Sequence, residues 1–436
     1  MQPADSATAP NDAKTASHAR ASLPAFALIV GLFFLWGVAN NLNDILIKQF
    51  KNAFTLSDFQ AGLVQSAFYL GYFVLAIPAG ICMRRFGFKG AILVGLVLYA
   101  LGALLFWPAA ATQTYAIFLA GLFVIASGLS FLETSANPLV TVLGPPEGGA
   151  RRLNFAQSFN PLGSIAGVLI GRNFIFNGVE HTPQQLAAMT PSARHAYFAS
   201  QSLAVQTPYL VIACVVIAFA LLIALVRFPA HGEHIHQPAA DHASGARHFG
   251  RLLRDRHFLS AVTAQFFYVG AQVGVWSYLI RYCQGTIPGT PERRAADYLT
   301  ASLVLFTLGR FAGTALMRVV APRALLASFA AVNVVLCAIG VAWPGLPGLV
   351  ALVAASFFMS VMYPTIFALG VDGFDDSDRK LGASLLVMAI IGGALLTALM
   401  GAVSDAAGIA RAMLVPLGCF VAVWLFAMQR TRLQPA

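Results

Sequence analysis

Charge is scarce in this chain. Only 10% of its 436 residues are Asp, Glu, Lys or Arg, against 58% hydrophobic. A soluble protein carries roughly a quarter charged residues, so a water-soluble globular protein is excluded. Cysteine is also sparse. Cys82, Cys214, Cys283, Cys337 and Cys419 are scattered, with no CxxC pair and no His/Cys grouping. Neither a disulfide framework nor a zinc site follows from that spacing. Four of them lie in or at the end of apolar runs and fit small packing positions. Cys283 follows a helix on the expected outer side, where a labelling reagent would reach it. No GxxxxGK[ST] loop is present, so the chain does not draw on ATP. No nucleophile–base pair or metal motif marks a membrane-surface enzyme. The formal net charge is +10, but no basic block interleaves with aromatics as nucleic-acid binding requires. Basic loops of membrane proteins give the same excess. Met1–Ser22 lacks the charged start, apolar core and cleavage site of a signal peptide. It is expected to be a disordered cytoplasmic tail.

Long apolar runs are what the chain has in place of charge. A membrane helix needs about 20 mostly apolar residues. Such runs number about twelve by hydropathy. The first half holds Phe26–Ile47, Ala61–Met83, Gly90–Ala109, Tyr115–Leu139, Phe155–Phe176 and Pro208–Arg227. The second holds Ser260–Tyr282, Tyr298–Val319, Leu325–Trp343, Gly348–Gly370, Leu381–Ala406 and Ala412–Gln429. Two loops stand out. Phe228–Arg256 is histidine-rich without compelling ligand spacing, and is expected to be a flexible interdomain loop. Asn177–Gln206 is polar and is expected to form a short surface element. Lys and Arg divide roughly two to one in favour of the side that carries both termini, which places the termini in the cytoplasm.

The halves echo each other. GICMRRFGFKGAIL (Gly80–Leu93) links the second and third runs, and GTALMRVVAPRALL (Gly313–Leu326) links the eighth and ninth. Matching loops in a six-plus-six chain are what a parallel repeat of two bundles produces. The expected fold is therefore an all-α membrane protein, with twelve transmembrane helices in two six-helix bundles. The expected division is a tail at 1–22, an N-terminal bundle at 23–227, a cytoplasmic loop at 228–257, a C-terminal bundle at 258–430 and a tail at 431–436.

Two acids lie inside apolar runs: Asp44 in FFLWGVANNLNDILI (Phe33–Ile47) and Glu133 in LFVIASGLSFLETSANPLV (Leu122–Val140). An ionised carboxylate in hydrocarbon costs roughly 2.5–3.5 kcal/mol even on lenient insertion scales. Asp44 comes with Asn40, Asn41 and Asn43, a dense polar cluster that suggests a path for a polar solute, with protons as second cargo. Asn40 and Asp44 share one helix face, and Glu133 and Asn137 share another. Asn154, Gln157, Asn160 and Ser164 recur at helical spacing on the fifth run. Gln265, Tyr268, Gln272 and Trp276 do so on the seventh. Membrane Asn and Gln also serve simply to join helices, at about 0.6–2 kcal/mol each. Arg310, in LFTLGRFAG, is the lone basic residue deep in the second half. It is expected to snorkel to the cytoplasmic end, with pairing to an acid at a gate as the alternative. Asp405 is expected at an interface.

Several segments resemble the L-fucose:H⁺ symporter (fucose permease) family of the major facilitator superfamily, over roughly Ala25 to Met428. They include FFLWGVANNLNDILI, FQAGLVQSAFYLGYF (Phe59–Phe73), LETSANPLVTVLGP (Leu132–Pro145), LNFAQSFN (Leu153–Asn160), YVGAQ (Tyr268–Gln272), WSYLIRY (Trp276–Tyr282) and YPTIF (Tyr363–Phe367). The chain departs from the superfamily's loop signature, with Arg84 where an acid usually follows the first glycine. The resemblance implies the major facilitator fold. It also implies that Asp44 and Glu133 match the membrane acids on which transport depends.

A pyranose needs amides and carboxylates for its hydroxyls and aromatics for its ring faces. Candidates are Asn41, Asn43, Glu133, Gln157, Asn160, Tyr268, Gln272, Trp276 and Tyr363. The expected activity is H⁺-driven import of L-fucose, or a related 6-deoxy or galacto-configured monosaccharide, by alternating access. An H⁺-coupled glucose/galactose transporter is the near alternative, and a sugar sensor without transport the distant one. No cofactor is expected beyond the coupling proton. The expected partners are sugar, H⁺ and lipid. The expected protein is a monomer in a bacterial-type inner membrane, binding no nucleic acid. A cysteine placed in Phe228–Arg256 should be shielded from an impermeant thiol reagent in intact cells; ready labelling there would invert the topology.

Overall fold

A computed structural model of the chain describes residues 24–39, 58–170, 185, 188–203, 205–226 and 248–429. All its regular elements are helices. In hydrocarbon every backbone N–H and C=O must be satisfied internally, and a helix does this within one segment. The N-terminal half contains α1 (Pro24–Ala39), α2 (Asp58–Leu104), α3 (Phe106–Thr112), α4 (Tyr115–Val142), α5 (Gly149–Gln157), α6 (Phe159–Ile170), α7 (Pro191–Leu203) and α8 (Gln206–Leu225). The C-terminal half contains α9 (Arg256–Thr286), α10 (Glu292–Leu316), α11 (Pro322–Ala342), α12 (Leu346–Met359), α13 (Met362–Gly370), α14 (Asp376–Met388), α15 (Gly392–Ala407), α16 (Ile409–Ala412) and α17 (Leu414–Met428). Among the described residues, nine helical stretches are long and apolar enough to cross a membrane.

These stretches follow the apolar runs, with informative departures. The second and third runs form two helices, labelled together here as α2, that meet at a turn at Gly87, whose φ of 73° and ψ of 177° leave the helical region. Glycine carries that conformation without Cβ strain. The corresponding turn of the second half spans residues 317–321, and Pro322 opens α11. The run at Phe155–Phe176 breaks between α5 and α6 at Ser158, and the run at Gly348–Gly370 breaks between α12 and α13 at Ser360 and Val361. In both, a proline is the third residue of the new helix: Pro161 and Pro364. Proline donates no hydrogen bond, so each interrupts the ladder behind it. The surface element expected at Asn177–Gln206 includes α7, which is largely exposed.

Small residues set how closely the helices approach. In the N-terminal half, α4 lies against the second arm of α2 along Gly95, Gly102, Gly121 and Gly128. A Cβ at Gly128 would fall 2.5 Å from Gly95 O and 2.6 Å from Tyr99 N. With no water to expel from between them, membrane helices gain stability from such close packing. In the C-terminal half, α9 packs on α15 and α17, α10 on α12, and α11 on α12 and α17.

The halves meet at one end through α14. Gly80 of α2 faces Ser384, and the Lys380 ammonium lies 5.0 Å from the centre of the Phe88 ring. The Arg84 loop thus meets the other half by close approach and a cation–π contact. The interdomain connection is also more ordered than expected at its end. Residues 248–252 form a helical turn. Its His248 and Arg251 bind Asp378, and Arg251 also binds Asp375 at 2.7 Å. The acids crowd the first turn of α14, where the helix dipole favours negative charge, and Asp375 caps the helix by accepting from Asp378 N. Asp405 is exposed near the end of α15. Cys283 is not the accessible thiol expected: α9 continues past it and buries it completely.

Gly128→Val should lower the unfolding midpoint of the detergent-solubilised protein, by about 1–3 kcal/mol of stability, because neither facing backbone can retreat. An unchanged midpoint would show that the α2–α4 seam has slack.

Candidate functional site

The deepest polar residues converge where the halves touch, in mid-chain segments of α4, α5, α9, α10 and α13. Glu133 is 1% exposed. The Tyr363 hydroxyl, from the other half, donates to its Oε1. A carboxylate isolated in apolar surroundings is costly; a hydroxyl partner reduces that cost and ties the two bundles together.

Around this pair lies a set of buried polar groups. Gln157, at the end of α5, donates to Asn137 Oδ1 at 2.9 Å. Asn137 is one helical turn from Glu133. Asn154 bridges the halves, donating to Thr365 Oγ1 at 3.1 Å. Tyr268 donates to Met359 O at 2.9 Å and holds its ring 6.3 Å from that of Tyr363. Among the described residues, other buried atoms here meet no strict hydrogen-bond geometry: Trp36 Nε1, the Tyr72 hydroxyl, Glu133 Oε2, Asn137 Nδ2, Asn154 Oδ1 and both terminal atoms of Gln265, although Asn137 lies beside Glu133 as a looser partner. Trp36 neighbours Tyr72, Tyr72 lies close to Glu133, and Gln265 lies beside Tyr363. Each unsatisfied buried group costs about 1–3 kcal/mol. Donors and acceptors left open together are suited to a solute that offers both, as a sugar hydroxyl or water does.

Arg310 is not at the membrane surface, contrary to the snorkelling expectation. It is 4% exposed. Its Nε donates to Ser360 O at 2.7 Å, its Nη1 donates to Gln157 O at 3.0 Å, and its guanidinium stacks 4.6 Å from the Phe306 ring centre. Carbonyls and an aromatic face hold it, and among the described residues no acid is a hydrogen-bond partner. Beyond it, toward the arginine-rich end, an open cavity of about 460 Å³ is lined by Phe26, Phe155, Phe311, Arg151, Arg152 and Arg318, among others.

With this geometry in hand, comparison with known proteins is decisive. A model of the Major Facilitator Superfamily matches residues 25–390. The chain belongs to that superfamily. It is 51% identical over 421 residues to the L-fucose-proton symporter of Escherichia coli K12, covering 96% of each chain. It is 36% identical over 398 residues to a glucose/galactose transporter of Brucella abortus biovar 1, covering 91% of this chain and 92% of that one. A crystal structure of the superfamily transporter FucP in the outward conformation matches with a TM-score of 0.86 at 51% identity, over 93% of this chain and 99% of that one. The all-helical, multi-pass architecture is thus the major facilitator fold, and the family is one of transporters rather than enzymes.

The candidates named from sequence fall into three groups. Glu133, Gln157, Tyr268 and Tyr363 come together at the contact between halves. Asn160, Gln272 and Trp276 do not join that contact. Asn160 donates to Phe33 O at 3.3 Å, so it joins α6 to α1. Trp276 donates to Ser356 Oγ at 3.1 Å and packs edge-on to Phe306 at 4.9 Å, farther along α9. Gln272 is half-buried between these levels. Asp44, Asn41 and Asn43 lie outside the described residues. Sequence reasoning missed Trp36 and Tyr72. A faint signal existed for Trp36, four residues before Asn40 and so on its helix face. Tyr72 gave none, being one aromatic in an apolar run.

A double-mutant cycle of Glu133→Gln and Tyr363→Phe, read by thermal unfolding in detergent, should give a coupling of about 1–3 kcal/mol. A coupling near zero would mean that the two side chains do not tie the halves together.

Proposed function

We propose that this protein is a proton-coupled sugar symporter that imports L-fucose, or a closely related 6-deoxy or galacto-configured monosaccharide, by alternating access. The observation that carries the reading is the buried Glu133–Tyr363 contact between the two halves, set among polar atoms that lack well-formed partners among the described residues. Such a site recognises a hydroxylated ring and senses the relative position of the bundles. The relatives named for L-fucose-proton symport support the substrate and the coupling ion.

In the proposed cycle the sugar enters from the outside and places hydroxyls against Glu133 Oε2, Asn137 Nδ2 and Gln265. Tyr72, Tyr268, Tyr363 and Trp36 supply aromatic surface and further donors. Sugar and proton together substitute for the Glu133–Tyr363 bond, so the bundles can rock about the occupied site. Asp44 is proposed to carry the proton, loading outside and releasing inside; Glu133 couples sugar to bundle motion. Asn41, Asn43, Gln157, Asn160, Gln272 and Trp276 complete the proposed sugar path. The protein is proposed to lie in a bacterial-type inner membrane with both termini cytoplasmic, as a monomer needing no cofactor beyond the proton. The proposed division is an N-terminal bundle at 23–227, a cytoplasmic loop at 228–257 and a C-terminal bundle at 258–430.

The second reading is an H⁺-coupled glucose/galactose transporter. It is favoured by the Brucella relative, which spans nearly the whole chain. L-fucose differs from D-glucose and D-galactose in ring configuration and in lacking the C6 hydroxyl. Competition of labelled L-fucose uptake by a panel of stereoisomers therefore decides between them.

In proteoliposomes, adding L-fucose outside should raise the external pH as protons enter with it. Asp44→Asn should abolish accumulation driven by ΔpH while sugar exchange persists. Full accumulation by that variant would place the coupled proton elsewhere.

A further inference from the structure

The two carbonyls that hold Arg310 share a property visible in the sequence. Gln157 O stands four residues before Pro161, and Ser360 O stands four residues before Pro364. In an unbroken helix each carbonyl would accept from the N–H of the fourth residue on. Proline has no N–H, so both carbonyls are released. The breaks are observed at Ser158 and at Ser360–Val361, and in each half the proline is the third residue of the next helix. One released carbonyl belongs to the N-terminal half and the other to the C-terminal half. A single guanidinium, itself on α10 of the C-terminal half, reaches both: Nε to Ser360 O at 2.7 Å and Nη1 to Gln157 O at 3.0 Å.

We infer that Arg310 is a positioning residue that pins the two bundles together through proline-released carbonyls, and that rocking requires its bond to Gln157 to break. The bond to Ser360 is internal to the C-terminal half and moves with it. The bond to Gln157 crosses between halves. With Asn154–Thr365 at 3.1 Å it forms a polar floor, with Glu133 and Tyr363 on one side. The cavity lined by Arg151, Arg152 and Arg318 lies on the other. Opening that floor joins the site to the arginine-lined mouth. The planar fork explains the residue type, because a guanidinium donates in two directions at once and an ammonium on a flexible stem does so poorly. The stack on Phe306 fixes the fork's plane. The pin also touches the site's own machinery: the residue whose carbonyl it holds, Gln157, carries the side chain bonded to Asn137.

The inference rests on the transport reading for its consequence, but its test does not need sugar. Spin labels on cysteines introduced at Arg151 and Arg318, in a protein whose five native cysteines are replaced, report the width of the arginine-lined mouth. Arg310→Gln should raise the ratio of wide to narrow distances about tenfold, the effect of losing one charged hydrogen bond. Pro161→Ala should shift the ratio in the same direction and by less, because residue 161 then offers an N–H to Gln157 O. Arg310→Lys should fall between wild type and Arg310→Gln, and it carries the test with Pro161→Ala if Arg310→Gln does not fold. An unchanged distance distribution in Arg310→Gln, or in both of the other variants, overturns the inference. Calorimetry with L-fucose on the same samples keeps the two readings apart. A mouth that widens in a protein binding no sugar sinks the transport reading and leaves the pin standing; sugar binding with an unmoved mouth does the reverse.

Discussion

The constraint on which this molecule depends is that a polar group inside a membrane protein has no water to fall back on. Every donor and acceptor must find a partner in the protein or in a solute. Most of the chain meets this locally, with apolar helices whose backbones are self-satisfied. The exceptions concentrate between the bundles. Glu133 meets Tyr363 there, Asn154 meets Thr365, and Arg310 meets two carbonyls. The scaffold is uniform so that a small polar region can be different.

That region is only partly satisfied, and the incompleteness is informative. A fully paired cluster of this kind would lock the bundles into one arrangement. Among the described residues, Glu133 Oε1 and Asn137 Oδ1 are well bonded, while Glu133 Oε2 and Asn137 Nδ2 meet no strict hydrogen-bond geometry. The contacts that are made hold the halves in one position; in the proposed cycle the sugar takes up those left open. Affinity for the solute and the position of the bundles are thereby linked, since both draw on the same atoms.

Close packing supplies the rigidity this arrangement needs. Glycines along α2 and α4 bring backbones into contact, so the N-terminal half can move as a body. Proline breaks in the fifth and tenth runs do the opposite. They expose carbonyls at a level where the halves touch, and Arg310 uses them. A buried cation with no acid partner among the described residues is a costly group. Carbonyl dipoles and the Phe306 face offset part of that cost.

Much of this was legible in the sequence, for definite physical reasons. Low charge and twelve apolar runs required a polytopic helical fold, because hydrocarbon admits little else. Glu133 announced itself because an acid in an apolar run is expensive wherever the run goes. The paired loops marked turns by local chemistry alone. Local chemistry did not reveal partners. Glu133 and Tyr363 are separated by 230 positions, and nothing near either residue names the other. Asn160 and Gln157 look alike on one helical stripe, yet the first joins α6 to α1 and the second faces Asn137. Arg310 looked free to snorkel because the prolines that release its carbonyls lie on two other helices. The sequence by itself determined which residues are too polar for lipid. The packing of one half against the other decided what each of them bonds, because hydrogen bonds depend on atoms within about 3 Å and chain order says nothing of such distances.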